Sequence, residues 1–379
     1  MNNPTFESYR QIFPITNESV YVNHAAVSPL STKVVAAIAD ILQQMSGGPI
    51  DLFQLLMERR AKLKTNLGQL IHTQPDYIAI ITNTSEGLNW LVGGLRWQKG
   101  DRILLVENEF PANIYPFMNV QHLGVELDFV PVRAGKILVE DIERLIQPRT
   151  RLLSISFVEF LNGFRNDLQA IGKICQEKGV IFSVDGIQGI GALPLDVQQA
   201  HIDFVCAGGH KWLMSPEGCG FMYIAPELHA RLQPVFAGWL SVKNSWNFFD
   251  YKLDFLETAQ RYEIGTPNFL GIVGAEVATQ ILNEVDPLHI QDHLLNLGDK
   301  LIEPLTELGM TYIGSESKNE RSGIYSFTGP DTENLFKFLT EQRIYLSLRN
   351  KALRFSPHFY NTEREMEQII ECCQKYIRK

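Results

Sequence analysis

Between about residues 35 and 225 short apolar runs alternate with stretches of helical periodicity, and this alternation constrains the fold more than any other feature. DYIAIIT, DRILLV, VELDFVPV, TRLLSISFV, GVIFSVD, IDFVCAG and GCGFMYI have the length and apolar character of strands. VVAAIADILQQM (34–45) and LFQLLMERRAKLKTNLGQLI (52–71) carry an amphipathic helical period. VEDIERLI and LQAIGKICQEKG lie between strands and read as helices, the latter closing on a C-cap glycine. Strands apolar on both faces need helices on both faces, so the expected class is α/β with a mostly parallel sheet. In such sheets ligands bind at the carboxyl ends of the strands.

The region 237–260, GWLSVKNSWNFFDYKLDFLETAQR, breaks the rhythm with closely spaced aromatics. Two helix patterns follow (about 271–285 and 291–308). After them come IYSFTG, a helix from Asp331 to Glu341, IYLSLR, ALRFS and a last helix from Asn361 onward. This composes a smaller α+β lobe, as a 379-residue chain allows. The expected division is a large domain over 20–258 and a small one built from 1–19 and 259–379.

Charge and composition narrow the partners. A formal net charge of −9 opposes phosphate-backbone binding and hence a nucleic-acid role. No apolar run reaches membrane-spanning length, and MNNPTFESYRQIF lacks the basic-then-apolar order of a secretory signal. Five cysteines without a CxxC pair fit reduced thiols in a cytoplasm, with no disulfide framework and no metal site expected.

Four loops after predicted strands hold the residues that could carry chemistry. In SVDGIQG (183–189), Asp185 ends an apolar strand, where a carboxylate either caps a turn or has a cationic partner. In CAGGHKWLMSPEGCG (206–220), Lys211 is either a surface lysine or an amine held at a site. In NTSEGLNWLV (83–92), Thr84 and Ser85 open a helix, as a plain N-cap or as an anion site. In ENEFPANIYPF (107–117), Phe110 is core or an aromatic platform. Jointly they offer an amine nucleophile, an acid, a phosphate cradle and a stacking face. Pyridoxal 5'-phosphate needs that set: an amine for its aldehyde, a carboxylate for its ring nitrogen, N–H groups for its phosphate and a surface for its ring. No GxGxxG or GxxxxGK[ST] follows a strand, which leaves a nucleotide-binding protein a poor alternative.

The stretch from Ser183 to Ile224 closely resembles the signature of class V aminotransferases, within fold-type I. YVNHAAVSPL (21–30), NTSEGLN, ENEFPANIYPF, RYEIGTPN (261–268) and LRFSPHFYNTEREME (353–367) extend the resemblance over nearly the whole chain, in the family's order. The resemblance implies that Lys211 forms the Schiff base and moves the α-proton, that Asp185 pairs with the pyridinium nitrogen, and that Gln188 bonds the phenolic oxygen. It implies Ile187 under the ring, Phe110 over it, and Thr84, Ser85 and His210 at the phosphate. It further implies a homodimer in which Thr266 reaches the partner's phosphate, and Arg354 on the substrate carboxylate, where a guanidinium binds in bidentate fashion. His24 is a candidate for the substrate entrance, or else a satisfied loop histidine.

The family pattern is not followed everywhere. Desulfurase and lyase relatives carry a histidine where Phe110 stands, and a nucleophilic cysteine before the carboxylate arginine. SLRNKALRFS (347–356) has none. Phe160 in FVEFLNG (157–163) takes a position often held by asparagine, with Asn162 and Arg165 as possible substitutes. The expectation is an enzyme on a small amino-acid substrate, an aminotransferase first. The alternatives are a C–S or selenocysteine lyase, an isopenicillin N epimerase-like enzyme, and a cofactor-binding scaffold without turnover.

Overall fold

The computed structural model describes residues 6–48 and 50–378. All seven expected strands form: β1 (Ile78–Ile81), β2 (Arg102–Val106), β3 (Glu126–Val130), β4 (Thr150–Ser156), β5 (Ile181–Asp185), β6 (Phe204–Gly208) and β7 (Gly220–Ile224). They make one sheet in the order β1-β7-β6-β5-β4-β2-β3. Only β7 opposes its neighbours, pairing antiparallel with both β1 and β6. The other pairings are parallel. Strands β5, β6 and β7 are buried at every residue, which is why they read as unbroken apolar runs.

Helices cover the sheet. They include α1 (Thr32–Gly47), α2 (Phe53–Ile71), α3 (Thr84–Gly94) and α4 (Leu168–Lys178). The expected cap of α4 is present: Gly179 has φ 67°, and its N–H bonds the helix's last carbonyls. The C-terminal part holds α5 (Phe269–Val285), α6 (Pro287–Glu307) and α7 (Glu363–Ile377). A second sheet has the order β8-β9-β11-β10, built from β8 (Thr311–Tyr312), β9 (Tyr325–Thr328), β10 (Ser347–Arg349) and β11 (Ala352–Phe355).

Packed elements tie the two sequence halves together. Val20–Tyr21 pairs in parallel with Ile344–Tyr345. Helix α5 lies along α2 and α1, with Ile272, Ala275 and Leu282 joining the main core. We propose that the chain divides in sequence near residue 260, with α5 as the part of the second segment docked on the first. The second sheet keeps its own core, including Leu301, Phe327, Leu353 and Met366. The architecture is fold-type I: a mostly parallel sheet flanked by helices, with a smaller α+β unit.

Candidate active site

Because β1, β2, β4, β5 and β6 run the same way, the loops after them share one edge of the sheet. A cavity of about 580 Å³ sits there, a size suited to a cofactor with a small substrate. Nine of the expected residues turn toward it: Thr84, Ser85, Phe110, Asp185, Ile187, Gln188, His210, Lys211 and Arg354. Larger clefts of about 850 and 700 Å³ lie elsewhere; among the described residues no lysine lines the first, and the lysine of the second, Lys136, is taken up by the partly exposed Glu320 at 2.6 Å.

Asp185 is the last residue of β5 and is 2% exposed. Its Oδ1 accepts from the Ile187 N–H at 3.0 Å. Burial pushes its carboxyl up to about 6, opposed by that N–H and by the charge of Lys211. Lys211 follows β6, and burial brings its ammonium down to about 8, against the attraction of Asp185 and with the repulsion of Arg354 and Arg349. Its Nζ lies 5.7 Å from the centroid of the Phe110 ring, which is half exposed and meets Phe160 edge-on.

At the other side of the cavity helix α3 begins. Asn83 caps it, its Oδ1 accepting from Glu86 N at 3.0 Å, while Glu86 reaches back to Thr82 N. Thr84 Oγ1 accepts from Gly208 N at 3.0 Å, which ties the helix start to the end of β6. The helix thus presents Asn83, Thr84 and Ser85 to the cavity at its positive end. His210 stands beside them, and burial and Lys211 lower its pKa, leaving a neutral ring with one N–H to give.

The glycines before Lys211 have separate tasks. A Cβ on Gly208 would come within 3.2–3.3 Å of the His210 ring and Ile187 Cδ1, two lining residues, so its absence keeps the cavity floor open. A Cβ on Gly209 would instead strike Ser215 Oγ at 2.0 Å, a packing demand with no bearing on a ligand.

Gln188 is held on both sides: Nε2 donates to Ala25 O at 3.1 Å, and Oε1 accepts from Trp212 Nε1 at 3.0 Å. Arg354 is 2% exposed; Nη1 donates to Phe160 O at 2.7 Å, and its buried Nε has no partner among the described residues. Burial and Arg349 bring its pKa to about 10, which still leaves it charged at neutral pH.

Three expectations end elsewhere. His24 is fully buried behind the cavity, Nδ1 against Ser356 O at 2.8 Å and Nε2 against Tyr360 OH at 2.7 Å. Both nitrogens are satisfied, so it is a structural loop histidine and not an entrance residue. Thr266 is exposed and lines a different depression, with Ile80 and Asn268. Neither Asn162 nor Arg165 substitutes for an asparagine at Phe160. Asn162 turns to Gly135 O, and Arg165 to Gln291.

Residues outside the expected set complete the cavity: Ala25, Ala26, Asn83, Ala112, Ser156 and Arg349. Beneath it lies Glu109, whose Oε2 accepts from Ser156 Oγ at 2.8 Å and whose carboxyl burial and Asp185 push up to about 7. Its position next to Phe110 was the available signal, but only the fold turns it inward. The five cysteines all lie outside the cavity lining.

An unpaired buried guanidinium N–H, a floor kept clear by Gly208, a helix start and a lysine beside a buried carboxylate fit pyridoxal phosphate together with a carboxylate-bearing substrate. The sheet and this site define a pyridoxal-phosphate enzyme of fold-type I. More specifically, the chain belongs to the aminotransferase class-V family, whose sequence model matches residues 20–369. An uncharacterized aminotransferase of Bacillus subtilis, YcbU, is 26% identical over 374 residues, covering 98% of this chain and 99% of that protein. A probable cysteine desulfurase of Methanothermobacter thermautotrophicus is 25% identical over 396 residues, with 97% of each chain covered. The apo structure of the cysteine desulfurase from Thermococcus onnurineus NA1 matches with a TM-score of 0.91, at 24% identity, over 100% of this chain and 99% of that one.

Proposed function

We propose that this protein transfers the amino group of an α-amino acid, with Lys211 as the covalent anchor and proton carrier. The observation that carries the reading is the pairing, in one cavity, of an amine brought to about 8 with a buried carboxylate at the next strand end. Bound pyridoxal phosphate supplies an aldehyde that condenses with amines and a ring that takes up the electrons freed at Cα. Asp185 holds a proton on the ring nitrogen. Thr84, Ser85 and His210 hold the phosphate, Ile187 and Phe110 enclose the ring, and Gln188 faces its phenolic oxygen. Arg354 orients the substrate carboxylate through its guanidinium. Lys211, once displaced, is the base within reach of the α-proton.

Phe110 favours transamination, because a phenyl ring stacks but offers no proton to a leaving group. A C–S lyase is the second reading, supported by the desulfurase relatives. Incubating the loaded protein with a panel of amino acids separates them. Conversion to the aminated cofactor supports transfer, and release of pyruvate or alanine supports the lyase. An unchanged visible spectrum with every amino acid would sink both.

Arg354→Ala is expected to raise KM for amino acids by roughly 10- to 100-fold, the worth of a hydrogen-bonded charge, with a smaller change in kcat. An unchanged KM would remove Arg354 from the site.

A homodimer belongs to the same proposal. Exposed Thr266 in GTPN would supply its hydroxyl to the phosphate site of a second copy. Light scattering of the loaded protein is expected to give twice the chain mass, and a monomer that binds the cofactor normally would exclude the shared site.

A further inference from the structure

Hairpin β10–β11 carries a second guanidinium into the cavity wall, for which the proposed transfer reaction has no use. Its register pairs Ser347 with Arg354 and Arg349 with Ala352. Residues two apart on a strand share a face, and directly paired residues share it too. Arg349 and Arg354 are therefore diagonal neighbours on one face, about 7–8 Å apart and within reach of long side chains. Both line the cavity. The turn between the strands is two residues, Asn350 and Lys351, both with positive φ (46° and 63°), which fixes this register.

The two arginines are held differently. Arg354 is buried and tied to Phe160 O. Arg349 is exposed and, among the described residues, makes no hydrogen bond or ion pair. Asp185 is the single carboxylate among the lining residues, and Lys211 is already its cation. Two guanidiniums held on one face without an acid repel each other, a cost that an anionic ligand spanning both would offset. The phosphate has its own donors at the start of α3 and at His210. One substrate carboxylate occupies Arg354. A second cation then asks for a second anion.

We propose that Arg349 is a specificity-determining residue that binds a distal carboxylate, so that the preferred substrates are dicarboxylic amino acids. This rests on the placement of the α-carboxylate at Arg354 in the proposed function. Calorimetric titration of the cofactor-loaded protein with glutarate and with pentanoate, five-carbon acids with two and one carboxylates and no amine, tests it. Glutarate is expected to bind about tenfold more tightly, the worth of one charged pair at a partly open site, with the advantage shrinking as salt rises. Arg349→Gln should abolish that advantage and leave pentanoate binding unchanged, while Arg349→Lys should retain part of it. Equal affinities in the unmodified protein, or an equal loss for both acids in Arg349→Gln, would overturn the assignment. The visible band of bound cofactor, read in the same samples, tests the reading of Lys211 independently: its absence would strike that reading, and equal binding of the two acids would strike only Arg349.

Discussion

Lys211→Ala is expected to abolish the visible absorption of covalently held pyridoxal phosphate and to reduce turnover by at least about 10³-fold, since one side chain is removed from both anchoring and proton transfer. Far-UV circular dichroism should be unchanged, because the contacts of Nζ, with the Phe110 ring and with the charge of Asp185, lie in the cavity and not in the packing between strands. The same lysine sets a pH dependence. Only the neutral amine attacks an aldehyde, and burial has brought Lys211 from 10.5 to about 8. The rate of cofactor loading by the apoprotein should therefore climb about tenfold per unit below pH 8 and level off above it. A rate still climbing at pH 10 would mean that Lys211 is solvated like a surface lysine. A retained covalent band in Lys211→Ala would overturn the assignment of the anchor.

Asp185→Asn should move activity and stability in opposite directions. An amide cannot hold a charged ring nitrogen, and losing one member of a buried ion pair costs about 3–5 kcal/mol, so kcat/KM is expected to fall roughly 10²- to 10⁴-fold. In the apoprotein the carboxyl is pushed from 3.8 up to about 6 by burial. A carboxyl whose folded pKa is raised destabilises the fold once ionised. That cost is absent below pH 3.8, grows with rising pH and is complete above pH 6. At pH 7.5 the Asn variant of the apoprotein should then melt higher, by up to about 3 kcal/mol of stability, and the gain should vanish near pH 4. An equal loss of stability in apo and loaded forms would show that Asp185 serves the fold and not the cofactor.

Much of this was legible in the residues because the large sheet is buried on both faces. Unbroken apolar runs such as GVIFSVD and IDFVCAG have few other places to go, and polar residues at their ends stand out against them. Asp185 and Lys211 were visible for that reason. Thr84 and Ser85 were visible because a helix start follows a strand. His24 was ambiguous because a loop histidine declares neither its partners nor its depth, and those partners, Ser356 and Tyr360, come from over 300 residues away. The glycine pair before Lys211 was equally opaque. Gly209 answers to Ser215 and Gly208 to the cavity, and no local pattern separates packing from ligand clearance.

Glu109 and Arg349 show the same limit from the other side. Glu109 sits in a quoted loop, yet its burial beneath Asp185 depends on Ser156 from another strand. Arg349 closes the run IYLSLR, where nothing local marks it as a site residue, and its alignment with Arg354 is a matter of hairpin register. The sequence by itself determined the α/β class, the order of strands and helices, the family, and the lysine, carboxylate and helix start that a pyridoxal-phosphate site requires. It could do so because burial period and residue chemistry are local. The tertiary structure alone decided which polar groups remain unpaired and which lining side chains crowd Gly208, because these depend on contacts between segments far apart in the chain, and it decided that two arginines share one wall, because that rests on the register of a hairpin and on where the hairpin docks.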